Sequence, residues 1–328
     1  MPRIRNQRLP DLVYDSKLET YIQGDCTEHV FYEPGRSLRE RQKRRVESWE
    51  REHRLGNGSF GVVYREKLRG HGRPIYRAVK KISKRVVEGE DLDYIRELEA
   101  IAKFSHRRYS HCFVRSEGWF ELDDAVFITM EYLEHGDLQK YLTRPFSEAE
   151  AAPIVAQVLE GLQFMHSSGF VHRDLKPGNI MVVEKGPSWY VKIADFGISK
   201  RRQQGVTTLH TMQRGTLGFA APEVLGMDND TESPVTSYDF SVDLWSLGAV
   251  TFYLVTNMMA FASSAKTVIR QGFYNEFAVI KTRRSANGIN SSFTSVAGFS
   301  CYEWGWCFTS KFATSVGRTL AREQARGY

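Results

Sequence analysis

The sequence of 328 residues has few cysteines and no long apolar run. Its four cysteines, Cys26, Cys112, Cys301 and Cys307, show none of the paired spacings typical of metal ligands, and no secretory signal precedes them. We expect free thiols in a reducing compartment. No segment approaches the roughly 20 apolar residues that span a bilayer, because polar residues interrupt the best candidate, 244–260. These features argue against a disulfide scaffold and a membrane protein, and they favour a cytoplasmic or nuclear location.

The composition predicts a globular chain whose positive charge is concentrated near one end. Hydrophobic residues make up 41% and charged residues 26% of the sequence, enough for one large domain or two small ones. The net charge is +6, and the basic excess is densest in residues 36–45. Such a run can bind an acidic partner such as nucleic acid, but Glu40, Glu47 and Glu50 interleave with it, which favours a solvated helix face.

Hydrophobic periodicity divides the rest of the chain into a β-rich part and a helical part. Short β-branched and aromatic runs predict strands from Glu50 onwards, ending with 126–132. One amphipathic helix interrupts these strands at 91–105. Farther along, the pattern predicts an amphipathic helix at 152–166 and a helix at 242–260 that is apolar almost all round.

The predicted fold is α+β, and it comprises four regions. Residues 1–48 lack clear periodicity and are expected to form a basic, partly disordered N-terminal extension. Residues 49–133 are predicted to form a small, mostly antiparallel β lobe with one main helix, and residues 134–262 a larger, mainly helical lobe. Residues 263–328 are predicted to be an atypical C-terminal region, in which residues 283–328 are rich in serine, glycine and aromatic residues but lack clear helical periodicity.

A glycine-rich segment lies between two of the predicted strands. It contains Gly56, Gly58 and Gly61 and runs directly into Val62 and Val63. A dinucleotide-binding fingerprint would lead from a strand into a helix, so a hairpin that covers phosphate groups fits better. Glycine allows the backbone to approach phosphate oxygens and to offer N–H donors. A plain glycine-rich turn is the alternative interpretation.

A lysine and a glutamate are predicted to form an ion pair in the β-rich part. Lys80 ends the third predicted strand, where it could also be an ordinary edge lysine. Glu97 lies on the same helical face as Ile101 and Phe104, so its carboxylate needs a cation to offset desolvation. Lys80 is the natural partner, and a lysine held in this way can orient the α and β phosphates of a nucleotide.

Two loops in the helical part carry residues suited to phosphoryl transfer. The first runs His172-Arg173-Asp174-Leu175-Lys176-Pro177-Gly178-Asn179. Asp174 would accept the proton of an attacking hydroxyl, Lys176 would neutralise the moving phosphoryl group, and Asn179 would hold magnesium by its amide oxygen. The second loop is Asp195-Phe196-Gly197, whose carboxylate is the kind of oxygen ligand that magnesium prefers.

These motifs, taken together, resemble the signature of the eukaryotic protein kinase superfamily. They occur in the family's order, and the resemblance covers roughly residues 50–260. It implies a bilobal kinase fold, with ATP and Mg2+ as cofactors. It also implies that Met130 lies beside the adenine pocket, that the backbone of residues 131–133 bonds adenine, and that Asp137 faces the ribose. The implied ATP-binding residues are Gly56, Gly58, Gly61, Val63, Ala78, Lys80, Met130, Glu131, Leu133, Asp137 and Met181.

The resemblance further implies an activation segment and several structural residues. Thr216 and Glu223 fall at the end of that segment. Arg173 is implied to bind a phosphate on it, with Thr211 the best candidate phosphosite and Thr207 and Thr208 as alternates. A threonine-rich exposed loop is the alternative. Asp243 is implied to tether the backbone of the catalytic loop, which is compatible with a carboxylate at a helix N-terminus. The other implied structural residues are His172, Phe196 and Gly197.

The implied function is that of a protein serine/threonine kinase. Lys176, two residues after Asp174, resembles kinases of this class, and Thr216 supports the same choice. The γ-phosphoryl group of Mg-ATP would pass to serine or threonine hydroxyls of protein substrates, under the control of an activating kinase or of autophosphorylation. The alternative is a pseudokinase-like, ATP-binding scaffold, because no partner for Glu223 is recognisable beyond Phe261.

Overall fold

The computed structural model describes residues 10–33, 41–58, 61–84, 94–122, 124–195, 218–221 and 240–259. These residues belong to two compact units. The first unit contains the described residues up to Glu134 together with residues 194 and 195, and the second contains the remainder from His135 onwards. Each unit has its own secondary structure and its own set of candidate functional residues.

The first unit is built on one seven-stranded antiparallel sheet. Its strand order is β1-β2-β3-β4-β5-β7-β6. The strands are β1 (Glu19–Gln23), β2 (Cys26–Glu33), β3 (Lys43–Gly58), β4 (Gly61–Leu68), β5 (Tyr76–Ser83), β6 (Ser116–Leu122) and β7 (Ala125–Glu131). The antiparallel strands predicted from Glu50 onwards are therefore present, although β3 begins earlier than the periodicity indicates.

The prediction of a partly disordered extension over residues 1–48 is wrong for residues 10–33 and 41–48. Residues 11–15 form the short helix α1, and the following chain forms the β1–β2 hairpin, which pairs with β3. Gly24, with a φ of 60°, allows the tight hairpin turn. Cys26 and Val30 are buried, so this hairpin gains apolar burial that an isolated extension would lack.

The basic run is also not a helix face where the structure describes it. Lys43–Arg45 lie at the start of β3 and pair with the end of β2. Arg45 forms ion pairs with Glu47 and, at 2.8 Å, with Glu33. The charges that interleave with the run are therefore neighbours along and across strands.

The segment that precedes β1 bridges the two ends of the sheet, and we call its residues 10–18 the N-terminal strap. The Leu18 amide donates to the Trp119 carbonyl at 2.7 Å, and the Trp119 amide donates to the Ser16 carbonyl at 3.1 Å. Trp119 lies on β6, the last strand in the order, whereas Leu18 leads straight into β1, the first. The two ends of the sheet are thus joined by one continuous piece of chain.

One face of this sheet buries polar groups next to the N-terminal hairpin. Arg77 donates to Glu66 Oε2 from Nε (3.0 Å) and Nη2 (2.7 Å), and both side chains are almost fully buried. The Arg77 guanidinium lies 4.2 Å from the ring centroid of Trp49. His29 is fully buried as well, with its ring 5.2 Å from that of Phe120. These groups can be buried because the charges of Arg77 and Glu66 are paired and because the His29 imidazole is neutral.

The main helix of the first unit, α2, spans Tyr94–Phe104. It lies within the helix predicted over 91–105. Leu98, Ile101 and Phe104 are buried, which matches the predicted apolar stripe. The helix contacts α1 and β6.

The second unit pairs two helices with a small hairpin. Helix α3 spans Glu148–Ser167, strands β8 (Ile180–Glu184) and β9 (Tyr190–Ile193) form the hairpin, and helix α4 spans Ser241–Thr256. Helix α3 starts four residues before the predicted 152, because Ser147 and Glu150 form a capping box at its N-terminus. Helix α4 is apolar almost all round, as predicted, and its largest apolar side chains are buried.

Two further expectations concern thiols and membrane spans. Cys26 and Cys112 are buried and form no disulfide bond within the described residues, whereas Cys301 and Cys307 lie outside them. Among the helices that the structure describes, none has the length and apolar character needed to cross a membrane.

Candidate active site

The glycine-rich segment forms the ends of β3 and β4. Gly56 pairs with Val63 across the two strands, and Gly58 pairs with Gly61. The two residues at the tip, 59 and 60, lie outside the described residues. A Cβ atom at Gly61 would collide with the carbonyl oxygen of Lys81 on β5, so only glycine allows this close approach of two backbones. The segment is therefore a hairpin between strands, not the start of a helix.

Lys80 lies between two carboxylates in the first unit. Its ammonium group bonds Glu97 Oε1 on α2 at 2.8 Å and also bonds Asp195 Oδ1. Lys80 and Glu97 have side chains only 4% exposed, and Asp195 is 17% exposed. The predicted Lys80–Glu97 pair is thus present. The contact with Asp195 was not predicted from the sequence, and its residues stand 115 positions apart.

Electrostatics keep this lysine charged despite its burial. Burial opposes the charge, but the Asp195 and Glu97 carboxylates outweigh it and raise the pKa of Lys80 above its ordinary value. Burial raises the pKa of Glu97, with the Lys80 ammonium acting in the opposite direction. The three groups therefore depend on one another, and removal of the cation would leave two carboxylates without it in a poorly solvated place.

The strand register places the residues predicted to bind adenine on the same face of the sheet as Lys80. Val63 pairs with Lys80, and Ala78 pairs with Met130. Glu131 ends β7, and its carboxylate accepts a hydrogen bond from the Arg115 amide at 2.8 Å. The predicted hinge residue Leu133 follows just after this strand and is half-buried.

The predicted catalytic loop in the second unit is held together by contacts of one carboxylate. Asp174 Oδ2 accepts from Lys176 Nζ at 2.8 Å and from Asn179 Nδ2 at 3.2 Å. The same Asn179 nitrogen donates to the Asp174 carbonyl at 2.7 Å. Leu175 anchors the loop because its side chain is almost fully buried. The loop thus places a carboxylate, an ammonium group and an amide within a few ångströms of each other.

Asp243, in the first turn of α4, ties down the backbone at the start of this loop. Its fully buried carboxylate accepts from the backbone amides of His172 and Arg173, each at 2.8 Å. The tether that the resemblance implies is present. His166 Nε2, at the end of α3, is a third partner at 2.8 Å from Asp243 Oδ2. Sequence reasoning missed His166, because nothing local to the helix end signals this long-range contact.

Two further predicted ATP-binding residues lie side by side in the second unit. Asp137 and Met181 form an isolated antiparallel bridge. The Asp137 carboxylate also accepts from the Lys140 amide at 3.2 Å, where it caps a short 3₁₀ turn over residues 138–141. The Asp137 carboxylate would therefore have to contact the ribose while it also caps this turn.

The two residues predicted to hold magnesium, Asn179 and Asp195, belong to different units. In the second unit, the Asn179 amide nitrogen is used by its two bonds to Asp174, so the amide oxygen is the atom suited to a metal. In the first unit, Asp195 offers a partly exposed carboxylate and has a strained backbone with a φ of 57°. Both are the oxygen donors that Mg2+ prefers, so each fits the expected ion.

Several predicted residues lie outside the described part of the chain. They are Phe196, Gly197, Thr211, Thr216 and Glu223. Arg173, predicted to bind a phosphate on the activation segment, is described and has a left-handed backbone with a φ of 64°. That conformation is rare for a residue with a long side chain, and it places strain at the catalytic loop.

Comparison with known proteins identifies the family. A family model described as the protein kinase domain matches residues 49–300. The chain belongs to the protein kinase family. The match starts where the β-rich lobe was predicted to start, and it extends into the C-terminal region that was predicted to be atypical. As a protein kinase, the chain has the α+β, bilobal fold class expected from its sequence.

The relatives are larger serine/threonine kinases. Serine/threonine-protein kinase cds1 of Schizosaccharomyces pombe is 33% identical over 273 residues, covering 78% of this chain and 57% of cds1. Serine/threonine-protein kinase RAD53 of Saccharomyces cerevisiae is 34% identical over 233 residues, covering 68% of this chain and 27% of RAD53. A crystal structure of Rad53 residues 1–466 with AMP-PNP aligns with 31% identity and a TM-score of 0.49, over 66% of this chain and 50% of that one. This kinase thus spans about half or less of their length.

Proposed function

We propose that this protein kinase transfers the γ-phosphoryl group of ATP to serine or threonine hydroxyls of protein substrates. The observation that carries the proposal is the catalytic loop, in which Lys176 and Asn179 orient the Asp174 carboxylate and Asp243 fixes the backbone. The names of the relatives support the same class. The proposal covers the function, the cofactors ATP and Mg2+, and the roles of the individual residues.

In the proposed mechanism, Asp174 receives the substrate hydroxyl and accepts its proton as the oxygen attacks. Lys176, 2.8 Å from Asp174, offsets negative charge that develops on the phosphoryl group. When bound, Mg-ATP supplies the phosphoryl group, and the positive charge of the metal offsets the negative charge of the phosphate oxygens. Asn179 and Asp195 would hold the metal, and Lys80 would orient the α and β phosphates. The proposed roles therefore fall on groups whose positions are already fixed by hydrogen bonds or ion pairs.

The Asp174→Asn variant tests this function directly. Purified chain would be incubated with magnesium, γ-labelled ATP and matched peptide sets that carry serine, threonine or tyrosine acceptors. We expect transfer to serine and threonine, and about two to four orders of magnitude less transfer by the variant, because Asn cannot accept the proton. Label that survives the substitution would point to a contaminating kinase.

A scaffold without turnover gives a different result in the same experiment. Thermal unfolding in the presence of Mg-ATP would show stabilisation, since any ligand that binds only the folded state raises its stability. Stabilisation by Mg-ATP without detectable transfer to any peptide would contradict the proposed function and support a pseudokinase-like scaffold.

The proposal extends to the control and location of the activity. We infer that phosphorylation of Thr211, by an activating kinase or by autophosphorylation, increases activity by pairing with Arg173. A Thr207/Thr208/Thr211 triple alanine variant should then lose the activation seen on phosphorylation of the wild type. Equal activity of the phosphorylated wild type and the variant would contradict this role of phosphorylation.

We also propose a cytoplasmic or nuclear location, which fluorescence microscopy of the tagged chain would test.

A further inference from the structure

The N-terminal strap lies outside the family match yet is firmly attached to the first unit. The match begins at residue 49, whereas the strap covers residues 10–18. The Val13 side chain is fully buried, and the Val13 carbonyl accepts a hydrogen bond from the Trp119 indole at 2.8 Å. Lys17 forms an ion pair with Glu121 and lies 5.1 Å from the Trp119 ring centroid. The strap is thus fixed along its length to β6.

A glycine on β6 makes room for the strap. Gly118 has a φ of 131°, and a Cβ atom built there would lie 2.8 Å from both the Leu18 side chain and the Ser16 carbonyl oxygen. Leu18 in turn packs against the buried cluster of Val79, Phe120, Ala125 and Phe127. A side chain at position 118 would force the strap away from the sheet, so the close approach of these two backbones depends on glycine.

The helix that carries Glu97 is supported by the strap. Helix α1, which forms most of the strap, contacts α2. Beside this contact, a cavity of about 600 Å3 lies between the later residues of the strap and α2, lined by Leu18 on the strap and by Leu98 and Ile101 on the helix. Because a cavity offers no close packing, support of α2 by the strap is concentrated at α1, where Val13 is buried.

We infer that the N-terminal strap is a positioning element for Glu97, and that Val13 is its principal positioning residue. Glu97 pairs with Lys80 only while α2 holds its present place, since the 2.8 Å contact joins side chains from two separate elements. The strap connects α2 to the sheet that carries Lys80, through α1 on one side and β6 on the other. This inference rests on the proposed role of Lys80 in binding ATP phosphates.

A double-mutant cycle between Val13 and Glu97 tests the inference. The four proteins are the wild type, Val13→Ala, Glu97→Gln and the double variant, and the readouts are the dissociation constant of Mg-ATP and kcat/KM for ATP. We expect Val13→Ala to weaken ATP binding about five- to twentyfold in the wild type and less than twofold in the Glu97→Gln background. Coupled residues depart from additivity in this way, whereas independent sites add. An equal loss in both backgrounds, or no loss in either, would overturn the inference.

Matched variants separate positioning from a general loss of folding. Leu12→Ala changes the neighbouring residue of α1, whose side chain is 48% exposed, and should leave ATP binding unchanged. Val13→Ile keeps an apolar branched side chain and should restore binding to within about twofold of the wild type. All measurements would be made well below the melting temperature of each variant without nucleotide. Loss of binding by Leu12→Ala as great as that of Val13→Ala would contradict a specific role for Val13.

The two readouts also distinguish this inference from the proposed function. If the wild type binds Mg-ATP but phosphorylates no peptide, the proposed turnover fails, while the cycle on ATP binding still reports the coupling. If the wild type phosphorylates peptides and the cycle is additive, the inference fails and the proposed function stands.

Discussion

The two units of this kinase fix their functional residues in different ways. In the first unit, Lys80, Glu97 and Asp195 come from a strand, a helix and a loop, and ion pairs between their side chains join them. In the second unit, the catalytic loop is held through its backbone, because two successive amides donate to the buried Asp243 carboxylate. A tether to the backbone fixes the position of the loop directly. An ion pair between side chains forms only when the strand and the helix that carry them are correctly positioned. The first arrangement is therefore the more adjustable of the two.

Substitution of Asp243 would break the second arrangement and have the largest effect on stability. Asp243→Ala should destabilise the fold by about 3–5 kcal/mol, because the buried His172 amide, the partly buried Arg173 amide and the His166 ring lose their acceptor. Urea unfolding would measure the loss. Glu148→Ala is the matched control, since Glu148 is an exposed acid in the first turn of α3 and should cost less than about 1 kcal/mol. A loss below about 1 kcal/mol for Asp243→Ala would contradict the tether.

Substitution of Lys80 would break the first arrangement and act mainly on activity. Lys80→Met should lower kcat/KM for ATP about a hundredfold, because it removes the proposed phosphate ligand and leaves Glu97 and Asp195 without their shared cation. Steady-state kinetics with a serine peptide would measure this. Lys81→Met is the control, since Lys81 lies on the opposite face of β5, where its ammonium group contacts Asp124 at 3.4 Å and lies 5.7 Å from the Phe127 ring centroid. Equal kinetics of the Lys80→Met variant and the wild type would show that this trio plays no part in catalysis.

Acid should lower the stability of the first unit, because His29 is buried there as a neutral imidazole. Burial, with a contribution from Arg77, lowers the pKa of His29 to about 3. In the unfolded chain His29 takes up a proton near pH 6.5, whereas in the folded state it stays neutral down to about pH 3. The contribution of the neutral His29 to the free energy of unfolding is therefore complete above pH 6.5 and declines as the pH falls towards 3. The loss attributable to His29 is about 2 kcal/mol at pH 5.

Unfolding free energies at pH 7 and pH 5 would measure the His29 effect. His29→Gln should reduce the difference between the two pH values by about that amount, whereas a substitution of the exposed His53 should leave it unchanged. The same pH dependence in His29→Gln and the wild type would show that His29 is not the group responsible.

The smallest expected effect lies at the start of α3 in the second unit. Hydrogen bonds from Arg144 and Ser147 lower the pKa of Glu150 to about 2. This stabilisation is present above pH 4.5 and is lost as the pH falls towards 2. Glu150→Gln should cost less than about 1 kcal/mol at pH 7, because the group is near the surface. Thermal unfolding at pH 7 and pH 3 would measure it, and a variant with an unchanged pH dependence would exclude Glu150 as its source.

The sequence is most informative where function and local pattern coincide. The catalytic loop can be predicted because its residues are contiguous, and the Lys80–Glu97 pair because Glu97 lies on an apolar helix stripe that requires a cation. The contact of Asp195 with Lys80 could not be predicted in the same way. It depends on a left-handed backbone at Asp195 and on a separation of 115 residues.

In the N-terminal region, the β1–β2 hairpin has a sequence signal that the prediction overlooked, whereas the bridge to β6 has no sequence signal. Gly24 and Asp25 between two aromatic and β-branched runs are a hairpin signal, and attention to it would have predicted β1 and β2. The Ser147–Glu150 capping box would likewise have placed the start of α3. The bridge from Lys17 to Trp119 carries no such signal, because its backbone hydrogen bonds join residues far apart in sequence and leave no local pattern.

The bridge between the strap and β6 also bears on solubility. An exposed edge strand presents unpaired N–H and C=O groups on which another chain can add a strand and begin to aggregate. Strand β6 is the last in the sheet order, and its amide and carbonyl at Trp119 are already paired with Ser16 and Leu18. A chain shortened to the family match would uncover this edge, and we expect it to aggregate at concentrations where the full chain stays monodisperse.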